Sequence, residues 1–301
     1  MSDKLRAYAY LHICVFIWGF TAILGKLISL NTLPLVWWRV LLSCLGLLLL
    51  IPKAQVLGMP RRRFRELFGI GALVGIHWLC FYGAIKISNA SVAVVSMAMT
   101  SFFAALIEPL FMRTRVKGYE LALGIFVLPG VALLVGNIDW TMRLGFAVGV
   151  LGALLAAVFS TLNKKVLDRE PPPPLAMSFV ELFAAVAVTS AALPFVMWQQ
   201  PDTQVMPLGW DWLWLLVLAG VCTLLPYYLT LQAMRHLSAF TTNLTINLEP
   251  VYGVVLAALV FREDREMRPE FYWGVLIILL AVFSHPFLKK IFDQEPGKAT
   301  S

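Results

Sequence analysis

Residues Tyr8 to Ile28 read YAYLHICVFIWGFTAILGKLI, 21 residues in which Lys26 is the one formal charge. As a helix rising about 1.5 Å per residue, the run covers about 30 Å, the thickness of a bilayer's hydrocarbon core. Lys4 and Arg6 precede it as they would precede a signal peptide. The run is too long for a signal-peptide core, however, and lacks a small-residue cleavage site, so it is expected to remain as a first membrane span. Working outward, comparable runs recur at Pro34 to Pro52, Glu66 to Lys86, Ala90 to Met112, Tyr119 to Asn137, Leu144 to Asn163, Leu175 to Trp198, Trp210 to Met234, Ala239 to Phe261 and Phe271 to Leu288. Charge or proline clusters bound them, which makes ten spans.

Composition agrees. Of 301 residues, 60% are hydrophobic and 14% charged, with a mean hydropathy of +0.80, against about 25% charged in soluble domains. No hydrophilic stretch is long enough to fold separately, so one membrane bundle is expected. The net charge of +7 resides in short segments between spans and not on a continuous basic face, which argues against a nucleic-acid partner. Cys14, Cys44, Cys80 and Cys222 each fall within an apolar run without metal-type spacing and read as small packing residues. Neither a metal nor a cofactor is expected.

An even number of spans places both termini on one side. That side carries seventeen Lys and Arg between spans, including Arg61, Arg62, Arg63 and Arg65, against five on the other. The positive-inside rule then makes both termini cytoplasmic. The exceptions, Arg262, Arg265 and Arg268, share their loop with Glu263, Asp264, Glu266 and Glu270. The expected location is the cell membrane, with a bacterial inner membrane preferred.

The halves of the chain, residues 1–137 and 138–301, lie over one another five spans on five. Trp18 and Lys26 fall on Ala156 and Lys164, Arg39 on Glu181, Tyr82-Gly83-Ala84 on Leu231-Gln232-Ala233, and Gly124-Ile125 on Gly274-Val275. With an odd number of spans per half, the second half enters from the opposite side. The expected fold is therefore all-α, a polytopic membrane protein of ten transmembrane helices built as two inverted five-helix repeats. Such repeats allow alternating access around a midplane site.

The order of these features resembles the drug/metabolite transporter superfamily, specifically its EamA-like ten-helix family. The resemblance is carried by Trp18-Gly19 with Lys26, by Arg39, by Glu181, and by Leu248-Glu249-Pro250 leading through Ala257-Ala258 to Phe261-Arg262-Glu263. It implies two five-helix repeats and movement of small metabolites, amino acids among them. In the repeat alignment Thr100 and Ser101 stand where Glu249 and Pro250 stand, so the two central helices differ in chemistry.

Ionisable groups within spans cost several kcal/mol unless paired, hydrated or snorkelling. Glu249, about 15 Å into the ninth span, is the leading candidate. Thr242, Thr245 and Glu249 share one helical face and Asn243 and Asn247 a neighbouring one, while Pro250 frees a carbonyl near Asn247. Lipid cannot surround such a helix, which must line a cavity or bond its neighbours. Arg39 and Glu181 are expected as gate charges near opposite ends, with Lys26 as a further charge near a span end; the structural reading is snorkelling or a structural ion pair for the first two and snorkelling for Lys26. Glu108 is expected to snorkel or to meet Arg113 or Arg115. His12, His77 and His285 have no metal-ligand spacing, and the first two read as satisfied core residues.

Trp37, Trp38, Trp210, Trp212 and Trp214 match an interfacial belt, whereas Trp18, Trp78, Tyr82 and Tyr227 lie deep enough to face a cavity. Gly145, Gly149, Ala153 and Ala157 give the sixth span a small-residue face suited to close helix contact.

The expected function is secondary transport, with export preferred, of a small metabolite, an amino acid or related compound. The expected partners are that small-molecule substrate and the lipid bilayer. Active transport would need a proton or ion gradient, with Glu249 or Glu181 able to carry a proton; passive exchange is equally compatible. An ATP-binding loop is absent, and an intramembrane enzyme lacks its usual motifs, His-Glu-x-x-His, facing aspartates or Gly-x-Ser-x-Gly. A receptor or assembly protein would use the same helix contacts.

Overall fold

The computed structural model describes residues 2–135, 140–246, 248, 249, 252, 256 and 269–292. Among them the chain is helical and without strands, and eight helices are long and apolar enough to cross a membrane. The first span is divided into α1 (Asp3–Trp18) and α2 (Thr21–Leu27). At the break Thr21 Oγ1 donates to the Trp18 carbonyl at 2.7 Å, supplying a partner that the interrupted helix does not. Next come α3 (Thr32–Leu50), the short α4 (Lys53–Leu57) and α5 (Arg61–Ile87). The fourth span is divided into α6 (Ala90–Met97) and α7 (Met99–Met112), and α8 (Gly118–Val135) ends the first half.

The second half consists of α9 (Trp140–Arg169), α10 (Pro174–Gln199), α11 (Asp211–Ala219), a π-turn (Gly220–Leu224), α12 (Leu225–Met234), α13 (Ala239–Ile246) and α14 (Pro269–Phe292). Pro226 has no N–H to offer the preceding turn, and the helix widens just ahead of it. The ninth span is described over α13 and a few residues beyond; Asn247 and Pro250 lie outside the described residues.

Packing follows the exchange of halves. α5 runs antiparallel to α9, with Arg63 3.2 Å from Glu170 at one end, His77 Nδ1 2.8 Å from the Gly152 carbonyl midway, and Gly145 against Ser88 at the other. Its repeat counterpart is α12 against α1, where Cys14 Sγ donates to the Pro226 carbonyl at 3.4 Å and Ala7 and Leu11 pack with Ala233 and Leu237. α6 and α7 lie on α9 as α13 lies on α1, while α3 pairs with α10 and α8 with α14 across the exchange.

Equivalent residues also tie the connections. Continuing the match of Ala84 with Ala233 by two residues sets Lys86 against Arg235. Lys86 Nζ donates to the Ile28 carbonyl at 2.7 Å, and Arg235 Nη2 to the Pro172 carbonyl at 3.1 Å. Each ties the third span of its half to the connection behind the first.

Three readings need correction. The sixth helix does not stop at Asn163 but continues to Arg169, because Lys164 pairs with Asp168 at 2.6 Å one turn on and also donates to the Met234 carbonyl at 3.1 Å. Asn163 is thereby interior. Glu108 does not snorkel: its carboxylate accepts the main-chain N–H groups of Ala239 at 3.2 Å and Phe240 at 2.5 Å, a favourable site for an anion at the amino end of α13. His12 is exposed, so it is no core residue. The small-residue face of α9 does make close contacts, Gly149 against Ser96 and Gly152 against Cys80 and Met97.

Candidate functional site

The halves enclose a cavity of about 130 Å³. Its wall comes from the first, second, third, fourth, sixth, eighth and ninth spans; among the described residues α8, α10 and α14 contribute none to the lining. On the eighth span the lining runs from Thr223 to Met234, about 16 Å along the helix.

Seven of the expected site residues line it: Trp18, Arg39, Trp78, Tyr227, Thr242, Asn243 and Glu249. Tyr82 and Glu181 stand immediately behind the wall, each in contact with a lining residue. Thr245 is buried and turned back on its own helix, where its hydroxyl donates to the Thr241 carbonyl at 2.8 Å. Lys26 is exposed at the end of α2 and lines no part of the cavity. The wall also includes Thr21, His77, Thr100, Ser160, Asn163, Thr223 and Thr230. The motif for Asn163 was obscured by its place at the expected end of a span, and isolated threonines in apolar helices carry no periodic signal.

Arg39 is not a charge near a membrane surface but a buried guanidinium in the wall. Nε donates to Thr223 Oγ1 at 2.7 Å and Nη1 to Tyr82 Oη at 2.8 Å, while Cζ lies 4.3 Å from the centre of the Trp78 ring. The π-turn positions Thr223, whose hydroxyl donates to the Leu218 carbonyl five residues back at 2.6 Å. Two fixed hydrogen bonds and an aromatic face hold the cation in the wall. The acceptors of both bonds are neutral hydroxyls, which leaves the guanidinium charge to attract an anionic group.

Glu249 is 8% exposed and its carboxylate has no hydrogen-bond partner among the described residues. Asn243 Nδ2 donates to Ser160 Oγ at 2.7 Å. Thr230 Oγ1, Thr242 Oγ1 and Asn163 Oδ1, all from lining residues, are buried without partners. Unsatisfied buried polar atoms call for a ligand or water. His77 is satisfied as expected, through the Gly152 carbonyl, which can only accept, so that Nδ1 carries the hydrogen, and it also borders the cavity.

Glu181 is fully buried and accepts the Tyr227 hydroxyl and, at 3.2 Å, Asn163 Nδ2. α5 can approach it because residue 71 is glycine, where a Cβ would overlap the Glu181 main chain. Extending the match of Tyr82 with Leu231 back four residues sets Trp78 against Tyr227. These two rings meet edge to face at 6.2 Å.

The sequence model of the EamA-like transporter family matches residues 5–136 and again residues 143–285. The chain belongs to this family. It is thus a polytopic membrane protein of two repeats, and a membrane transporter of the drug/metabolite type. A solved structure described only as "Crystal structure of protein" is similar over 96% of this chain and 99% of that one, with a TM-score of 0.70 and 15% identity, which extends to the fold alone. No curated protein matches the sequence. Within the family's two-repeat frame, Thr100 and Glu249 occupy equivalent positions on the central helices and both reach the cavity.

Proposed function

We propose that this EamA-like transporter moves a small metabolite with separated charges on an apolar body, of the amino-acid type, out of the cell by alternating exposure of the central cavity. The observation that carries this reading is that the cavity is lined both by a cation, Arg39, held over Trp78, and by a buried carboxyl group, Glu249. Arg39 would receive the anionic end of the substrate and Glu249 the cationic end, while Trp18, Trp78 and Phe159 cover the body between them. The exchanged packing of the halves supports a mechanism in which each half takes up the other's arrangement in turn. With both termini cytoplasmic by the distribution of Lys and Arg, export runs from the terminal end of the bundle to the other.

The test compares metabolites retained and released by cells with and without the protein, then measures flux of the identified compound in proteoliposomes. Glu249→Gln removes one charge-assisted contact worth roughly 1.5–3 kcal/mol, so flux should fall about ten- to hundredfold with insertion intact. Unchanged kinetics would remove Glu249 from the substrate site. Absence of flux for every metabolite in a broad panel, under any imposed gradient, would favour a receptor or assembly role.

A further inference from the structure

Behind the cavity wall, and reached through the lining residues Tyr227 and Asn163, lies a carboxyl group that is not itself part of the lining. Glu181 has 0% exposure, and both of its hydrogen-bond donors, the Tyr227 hydroxyl and Asn163 Nδ2, converge on Oε2. Oε1 has no partner. Asn163 Oδ1 and, one turn before Glu181 on α10, Ser178 Oγ are also buried without partners.

Among the described residues no basic side chain bonds Glu181. α12 presents Tyr227, α9 presents Asn163, and α5 meets Glu181 with Gly71. Arg39 on α3 is directed to Thr223 and Tyr82, Lys164 on α9 to Asp168 and the Met234 carbonyl, and Arg63 on α5 to Glu66 and Glu170. An isolated carboxylate inside a bilayer costs several kcal/mol, which a single bound positive charge removes.

Resting on the transport reading above, we propose that Glu181 is a proton-binding site of the transport cycle, linked to the substrate cavity through the Tyr227 hydroxyl. The carboxylate takes one proton on Oε1 to become the neutral acid and returns it to water when the cycle exposes the cluster. A metal ion fits less well, because the Tyr227 hydroxyl and the Asn163 amide direct hydrogens, not lone pairs, at the carboxylate. Tyr227 belongs both to this cluster and to the cavity wall, so a substrate that displaces its ring alters how the site holds its proton. By linkage, proton binding alters substrate affinity by the same factor.

Infrared difference spectroscopy on the full chain in lipid nanodiscs tests this, with pH as the variable and no substrate added. Wild type should show a carboxylic-acid carbonyl band that shifts in heavy water and is lost as pH rises. Glu181→Gln should remove a component of this band, and Glu249→Gln should retain that component. Tyr227→Phe removes a donor that favours the ionised form, so the proton should be held about tenfold more tightly; this variant also tests the proposal if Glu181→Gln fails to fold. A band unchanged by Glu181→Gln, a midpoint of the Glu181 component unmoved in Tyr227→Phe, or a signal that follows sodium in place of pH at constant ionic strength would overturn the proposal. Because the measurement needs no flux, failure of the transport reading is distinguishable from failure of this one.

Discussion

In the first repeat Arg39 on α3 lies over the ring of Trp78 on α5; in the second, Glu181 on α10 accepts the hydroxyl of Tyr227 on α12. The pairs occupy matching positions, yet one is a cation in the cavity wall and the other an acid behind it. The electrostatics of aromatic rings accounts for the difference. A ring face is negative and attracts a guanidinium, so Arg39 can stack on Trp78 and still reach the cavity. A carboxylate gains nothing from that face and requires a donor at the ring's tip. Tyrosine supplies the donor, and the acid consequently resides one side chain deeper. The two repeats thus share a scaffold while placing a cation in the cavity wall in one half and an acid behind the wall in the other.

The strongest way to break the comparison is at the glycine that lets α5 reach Glu181. Gly71→Val places a side chain where the Glu181 main chain already lies, and overpacking of this kind costs about 1–3 kcal/mol or more. Folded yield and melting temperature should fall sharply. A smaller effect is expected from Arg39→Lys, which keeps the charge but loses the fixed fork that bonds Thr223 and Tyr82. Flux should decline about tenfold, mostly through a higher KM; an unchanged KM would show that Arg39 does not meet the substrate.

Thr223→Val sharpens the point by leaving Arg39 in place without the acceptor provided by the π-turn. Loss of one such bond, about 1 kcal/mol, should raise KM about fivefold in the flux assay. Thr100→Val should have the least effect, within about twofold, because Thr100 brings no charge to the position that Glu249 occupies in the other repeat. A loss equal to that of Glu249→Gln would mean that the central helices contribute equally after all.

Much of the fold was legible because bilayer thickness imposes a run length on every span. The apolar run at Tyr8 to Ile28 and the five-on-five match required no tertiary information. The polar face of the ninth span likewise identified Glu249, Thr242 and Asn243, since lipid tolerates no such face. His77 and Thr223 were not legible in this way. Each is isolated in its own helix and gains meaning from a neighbour: His77 from the Gly152 carbonyl, Thr223 from a π-turn that directs it at Arg39. Glu108, near the end of its helix, was read as snorkelling because the amino end of α13 that it caps lies more than a hundred residues away in sequence.

The sequence alone determined that the chain enters a membrane and that its halves repeat, because hydrocarbon acts on each span through its length and polarity independently of the others. Only the tertiary structure decided that Arg39 faces the cavity whereas Glu181 withdraws behind Tyr227. That distinction depends on which aromatic group a second helix brings to each charge, and helix packing, not hydrophobicity, makes that choice.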